Sequence, residues 1–320
     1  MKARIERLAI LVLEPHSRCN CRCVMCDIWK RTDAREITAA ELERHLADIE
    51  KLGVEWVVFT GGEPLMHSDL FRLTALLRAR GIRTTILSTG LLLERHASRI
   101  VESTDEVMVS LDGPAALHDE IRRVPGAFER LAAGVRAIHR LSDAYPIAAR
   151  CTVQSRNAAH LRETVAAARE LRLRSISFLA ADLTSTAFNR PLVWLEERQS
   201  AVAPDLRELE REMESLIAAY PQDGFILERP DKLRRIIAHF RAHFGLEAYV
   251  APRCNAPWVS AVLEANGDVR PCFFHSPIGN TANTTLEEVL NGERAAAFRK
   301  QLNVAENPTC QRCVCSLWLE

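Results

Sequence analysis

Short apolar, β-branched runs recur through the first 180 or so residues, and each is followed by a longer stretch whose apolar positions return every three or four residues. The short runs, Leu8–Leu13, Trp56–Thr60, Thr84–Ser88, Glu106–Leu111, Ile147–Val153 and Ser175–Leu179, predict strands. The longer stretches, Ala39–Leu52, Asp69–Arg80, Leu91–Val101, Phe128–Leu141 and Ala158–Leu171, carry the period of amphipathic helices. Apolar strands alternating with helices argue for a parallel sheet covered by helices. The expected architecture is therefore α/β, a partial six-unit (β/α) barrel of the TIM type.

The pattern then changes twice. Residues 183–250 read as a mostly helical, highly charged insertion punctuated by Pro204, Pro221 and Pro230, expected to cover the barrel mouth. From Cys254 onward cysteine, glycine, asparagine and proline take over. Val259–Leu263, the turn Ala265-Asn266-Gly267-Asp268 and Val269 predict a hairpin closed by a tight two-residue Asn-Gly turn. One helix is expected from Leu286 to about Gln301, ahead of a cysteine-rich tail. The expected domains are 1–182, 183–250 and 251–320.

Composition narrows the function. The 320 residues carry 42 basic and 42 acidic side chains, and a protein that binds by neutralising phosphates usually shows a basic excess, so nucleic acid is not an expected partner. The apolar run Leu8–Leu13 is too short for a signal-peptide core, and no stretch approaches the ~18–20 apolar residues that span a bilayer. The expectation is a cytoplasmic protein with no membrane partner. The basic run at Lys232-Leu-Arg-Arg and the acidic run Glu208–Glu214 read as solvated helix faces.

The ten cysteines are clustered: four between Cys19 and Cys26, five between Cys254 and Cys315, and Cys151 alone. In a reducing compartment such clusters more often bind metal or do redox chemistry than form disulfides. Cys19, Cys23 and Cys26 stand at C-x3-C-x2-C spacing directly after the first strand, with Cys21 between them as a bystander. Three thiolates on one loop can hold three irons of a [4Fe–4S] cube and leave the fourth iron free, since such clusters usually take four cysteines. Structural zinc is the competing use, but the remaining ligands would have to come from far away.

These cysteines match the C-x3-C-x2-C signature of the radical S-adenosylmethionine (SAM) superfamily, with Met25 where the family usually has an aromatic. Gly61-Gly62-Glu63-Pro64, at the end of the second strand, resembles the motif that binds the amino group of SAM's methionine moiety. Ser88, and Ser110 with Asp112, end the third and fourth strands and resemble the polar strand ends that contact SAM's ribose and carboxylate. Arg122 matches an arginine that relatives direct at the SAM carboxylate, the alternative being a surface ion pair. Asn157 follows the fifth strand, either as a site residue or as a helix cap. The resemblance implies reductive cleavage of SAM to a 5′-deoxyadenosyl radical that takes a hydrogen atom from substrate, and an electron donor such as flavodoxin or ferredoxin.

Cys254 and Cys272 flank the hairpin, and Cys310-x2-Cys313 and Cys315 follow. A hairpin with cysteines at its base, facing a later C-x-x-C, suits a four-thiolate cage for iron–sulfur or for zinc. The segment resembles the SPASM/twitch extension of radical SAM enzymes. It implies an auxiliary [4Fe–4S] cluster on Cys254, Cys272, Cys310 and Cys313, in the shorter one-cluster form. Cys315 is left as a spare ligand, a hydrogen-atom donor or an unemployed thiol. Asp182, past the sixth strand, is placed either to bind substrate or act as a base, or to cap the next turn.

Oxidation of a small hydroxylated molecule is the expected reaction, because the cysteines supply one extra cluster and no peptide-binding domain precedes the first strand. Crosslinking or epimerisation of a ribosomally made peptide is the second expectation. A non-catalytic iron–sulfur or zinc protein is a third, and it leaves the glycine motif and Arg122 without a use.

Overall fold

The computed structural model describes residues 3–220 and 223–320, so Pro221 lies outside it. Six strands, β1 (Ile10–Leu13), β2 (Trp56–Phe59), β3 (Arg83–Ser88), β4 (Glu106–Ser110), β5 (Ile147–Val153) and β6 (Ser175–Ala180), pair in chain order and in parallel. Between them run the helices α1 (Ala39–Lys51), α2 (Leu70–Arg78), α3 (Leu93–Ser103), α4 (Ala115–Arg122), α5 (Ala127–Leu141) and α6 (Leu161–Glu170). Local chemistry starts them well: Thr38 and Glu41 form a reciprocal capping box at α1. Burying Leu11, Leu13, Phe59, Ile86 and Val109 completely between sheet and helices stabilises by roughly 1.5–3 kcal/mol each.

β6 does not return to β1, so the barrel is partial. Along β5, Ala149, Cys151 and Val153 are buried while Arg150 and Thr152 are half-exposed, the period-2 alternation of a strand with one packed and one open face. Arg150 is registered between Ser110 of β4 and Ser177 of β6.

After β6 come α7 (Leu192–Glu197), α8 (Gln199–Val202), α9 (Leu206–Ala219) and α10 (Pro230–His243). The two charged runs are not plain solvated faces. Glu212 is buried and holds Arg162 through both its carboxylate oxygens. On α10, Arg234 turns outward to Glu214, whereas Lys232 and Arg235 turn to a cavity described below. Residues three apart on a helix share a face and adjacent ones do not, which splits the run.

The C-terminal segment joins the barrel sheet instead of hanging from it. α11 (Ala256–Val259) leads into β7 (Ser260–Leu263), which pairs in parallel with β1. β8 (Asp268–Arg270) and β9 (Gly279–Asn280) follow antiparallel, giving nine strands among the described residues in the order β6-β5-β4-β3-β2-β1-β7-β8-β9. The hairpin turn differs from expectation. Leu263 pairs with Val269 and Gly267 N–H donates to the Glu264 carbonyl, so the loop is wider than two residues, with Gly267 left-handed at φ 86°. The single helix expected to follow is two, α12 (Leu286–Asn291) and α13 (Glu293–Gln301), because Gly292 adopts an extended conformation between them. A short α14 (Pro308–Gln311) carries Cys310. Among the described residues no helix is long and apolar enough to cross a membrane.

Candidate active site

The loop carrying Cys19, Cys23 and Cys26 leaves β1 and is tied to the ends of its neighbours. Arg18 C=O accepts from Glu63 N–H at 2.9 Å, Asn20 accepts from the Thr89 hydroxyl at 3.0 Å, and Arg22 and Val24 N–H donate to Arg122 and Ile121 carbonyls at 3.1 Å. Gly62 explains part of this closeness: a Cβ there would overlap the Arg18 carbonyl. Gly61, at φ 93°, takes a left-handed turn open mainly to glycine.

Glu63 is fully buried. Its carboxylate accepts from Leu65 N–H at 3.0 Å, Thr89 N–H at 2.6 Å and the Ser88 hydroxyl at 2.9 Å. Burial pushes its pKa up, and those hydrogen bonds oppose the rise. Glu63 and Ser88 thus lock the motif to the end of β3. Pro64 is buried in the short turn that follows.

Asp112 and Arg122 are buried together, Oδ2 to Nη2 2.5 Å. Arg122 Nη1 also donates to Cys23 Sγ at 3.5 Å. The Cys23 thiol is lowered to about 6, first by a hydrogen bond from Cys21 and, against the cost of burial, by the Arg122 charge. Cys21, expected to be a bystander, is buried against Cys23. Cys26 Sγ accepts from Ile28 N–H at 3.5 Å. Cys19 is pushed up to about 12, chiefly by burial. The donor set fits an iron–sulfur cluster: three thiols on one loop, two of them already receiving N–H donors of the kind that tune cluster thiolates.

Ser110 is half-buried at the end of β4. Asn157 is buried and spends its amide on the Asp112 and Thr152 carbonyls and on Gln154 N–H, so it ties the loops after β4 and β5 together and does not cap α6. Asp182 pairs with Arg190 and accepts from Thr184 N–H at 3.1 Å, the capping geometry that was one of its two readings. The loop it organises returns to the cysteines: Phe188 C=O accepts from Asp27 N–H at 3.1 Å and Asn189 donates to Asp27 C=O at 3.0 Å. The Phe188 ring meets Phe274, beside Cys272, edge to face at 6.3 Å.

Cys254, Cys272, Cys310 and Cys313 are each half-buried in the C-terminal segment, and His275 Nε2 lies 3.4 Å from Cys310 Sγ. Burial and neighbouring sulfurs push Cys272 and Cys310 up to about 11 and raise Cys313. Thiols packed this way are poorly ionised alone, and bound metal cations relieve the penalty, so this donor set also fits a cluster. Cys315 is exposed and opens onto a cavity of about 160 Å³.

Arg150 and Ser177 wall that cavity on one side, Glu228, Lys232, Arg235 and His239 on another, and Cys313 and Cys315 close it. Glu228 and His239 were not singled out from sequence, and Lys232 and Arg235 were read only as part of a solvated face, because a charged helix face reads alike whether it meets water or a cavity. Arg150 had a signal: it is the one charge in the strand run Ile147–Val153.

A partial barrel with a three-cysteine loop after its first strand and a glycine turn after its second defines an enzyme class. The profile of the radical SAM superfamily matches residues 13–176, and the chain belongs to that superfamily. An iron–sulfur cluster-binding SPASM domain matches residues 254–314, so this is a radical SAM enzyme whose domains imply [4Fe–4S] clusters and SAM as cofactors. The chain is 27% identical over 310 residues to an AdoMet-dependent heme synthase of Methanosarcina barkeri, covering 91% of this chain and 84% of the relative. It is 25% identical over 295 residues to a PqqA peptide cyclase of Gluconobacter oxydans, covering 88% and 75%. In fold it is similar to Streptococcus suis SuiB bound to its precursor peptide SuiA, at TM-score 0.71 and 17% identity over 98% of this chain and 72% of that one.

Proposed function

We propose that the chain oxidises a small, hydroxyl-bearing molecule held in the cavity between β5, β6, α10 and the C-terminal tail. When bound, SAM and its cluster supply one-electron cleavage and a hydrogen-abstracting radical, and the second cluster supplies an acceptor for the substrate's remaining electron. In this reading Cys19, Cys23 and Cys26 hold the first cluster, and Gly61, Gly62, Glu63, Pro64 and Ser110 shape the SAM site. Ser88, Asp112, Arg122 and Asn157 each have protein partners and hold the loops that would contact SAM, while buried Arg122 Nε and, its ion pair aside, Asp112 Oδ2 make no hydrogen bond. Cys254, Cys272, Cys310 and Cys313 hold the second cluster. Asp182 is a positioning residue for the 182–190 loop.

One observation carries the proposal. Cys313 lines the same cavity as Arg150 and Ser177 of the barrel strands. A cluster on the C-terminal cysteines would therefore abut the substrate, where an electron acceptor is useful. A purely structural metal needs no such position.

Anaerobic reconstitution followed by iron and zinc counting and a dithionite-driven SAM-cleavage assay tests the reading. About eight irons per chain are expected for two cubes, with 5′-deoxyadenosine formed and lost in Cys23→Ala. Zinc at the C-terminal cysteines would overturn the acceptor role. The heme synthase relative, matched over 91% of this chain, favours a second reading in which the substrate is a tetrapyrrole. The peptide cyclase relative keeps a peptide as the alternative.

A further inference from the structure

Among the described residues, Arg150, Lys232 and Arg235 line the cavity and none of them forms an ion pair, although ion pairs are abundant elsewhere on this chain. Arg150 Nε is held by the Ser177 hydroxyl at 3.2 Å, and one Arg235 nitrogen by the Cys313 carbonyl at 2.8 Å. Both partners are neutral, so they orient the guanidinium groups without pairing them directly to a carboxylate. The acidic group in the lining, Glu228, is engaged by Phe178 N–H at 2.9 Å and lies close enough to Arg150 and Lys232 to feel their charge, but forms no direct ion pair with them. His239 adds an independent sign: it is 8% exposed, lines the cavity, and its Nε2 has no hydrogen-bond partner.

Three cations outnumber the one carboxylate in the lining, and half-buried guanidinium groups with no directly paired carboxylate gain from an anion that completes them. Two rigid forks, a hydroxyl and an imidazole converging on one space match the planar oxygens of a carboxylate. The cavity volume of about 160 Å³ corresponds to roughly five waters, enough for a carboxylate with a few attached carbons. We propose that this cavity binds the carboxylate of an organic acid and so sets the substrate class. Arg150 and Arg235 grip the oxygens, and Lys232, exposed at the rim, attracts the anion. The inference rests on the oxidation reading for its link to catalysis, but the binding site itself does not require that reading.

The test is calorimetric titration of succinate, succinamide and inorganic phosphate into the anaerobically reconstituted holoenzyme. Saturable binding of succinate is expected, with none of succinamide. Arg150→Gln and Lys232→Gln should weaken it, the former by tenfold or more, the scale of losing one hydrogen bond to a charged group. Arg234→Gln, on the outward face of α10, should leave it unchanged. Iron content measured beside each titration shows whether a variant has kept its clusters. The proposal is overturned by an absence of saturation up to about 10 mM, by equal binding of succinamide, by preference for phosphate, or by binding that survives Arg150→Gln. A holoenzyme that binds succinate through Arg150 yet cleaves no SAM would support the cavity assignment and sink the oxidation reading.

Discussion

Arg122 and Asp112 form a buried ion pair at 2.5 Å, and the same guanidinium reaches Cys23 Sγ. The arginine expected to hold the SAM carboxylate thus has Asp112 as its counter-charge and touches the cysteine loop. Asp112→Asn should leave that guanidinium buried and unpaired, costing about 3–5 kcal/mol, read as a fall in denaturation midpoint. Replacing both partners, Arg122→Met with Asp112→Leu, should recover much of the loss, since an apolar pair leaves no stranded charge. In metal-free protein, Arg122→Met should also move the Cys23 thiol above its value of about 6, followed by thiolate absorbance against pH.

Gly62 tests whether the glycine turn is there for packing. Its Cβ would overlap the Arg18 carbonyl, so Gly62→Ala should push the cysteine loop off β2 and sharply lower iron uptake on reconstitution. Gly81→Ala is the control. It has a positive φ of 72° but no neighbour within 4 Å, so it should cost about 1–2 kcal/mol of stability and leave iron content intact.

Glu14 follows β1, and its pKa is raised from 4.5 to about 7, first by burial and then by Glu264, against Arg31 and Arg270. The folded state therefore holds this proton more tightly than the unfolded chain. The stabilisation is complete below pH 4.5 and is lost as pH rises through about 7. Glu14→Gln should remove a pH-dependent contribution of about 3 kcal/mol, seen as a flatter profile of denaturation midpoint between those pH values.

Cys272→Ala should halve the iron of the reconstituted protein, from about eight to about four per chain. SAM cleavage should persist, because the first cysteine loop is independent of Cys272. Loss of all iron would mean that the two cysteine groups do not act separately.

The strands, the helices and both cysteine groups were legible in the sequence because each is local. Alternation and the 3.6-residue period are properties of neighbouring residues, and a three-thiol loop is a spacing of a few positions. Even the expected polar strand ends proved to lie at strand ends. Some local readings failed where a single residue changed the geometry: Gly267 widened the hairpin loop, and Gly292 divided the helix after it.

What only the tertiary structure decided is which distant groups meet. β7 pairs with β1, so the C-terminal cysteines come back to the barrel and not to a separate appendage. Arg122 turns to Asp112, and Asp182 to Arg190, because a buried charge is stable only beside a partner, and the partner is chosen by packing. Lys232 and Arg235 leave Arg234 on the opposite side of α10 for the same reason that helices have faces. Whether a face meets water or a cavity depends on contacts across hundreds of residues of chain, and a local pattern carries no record of them.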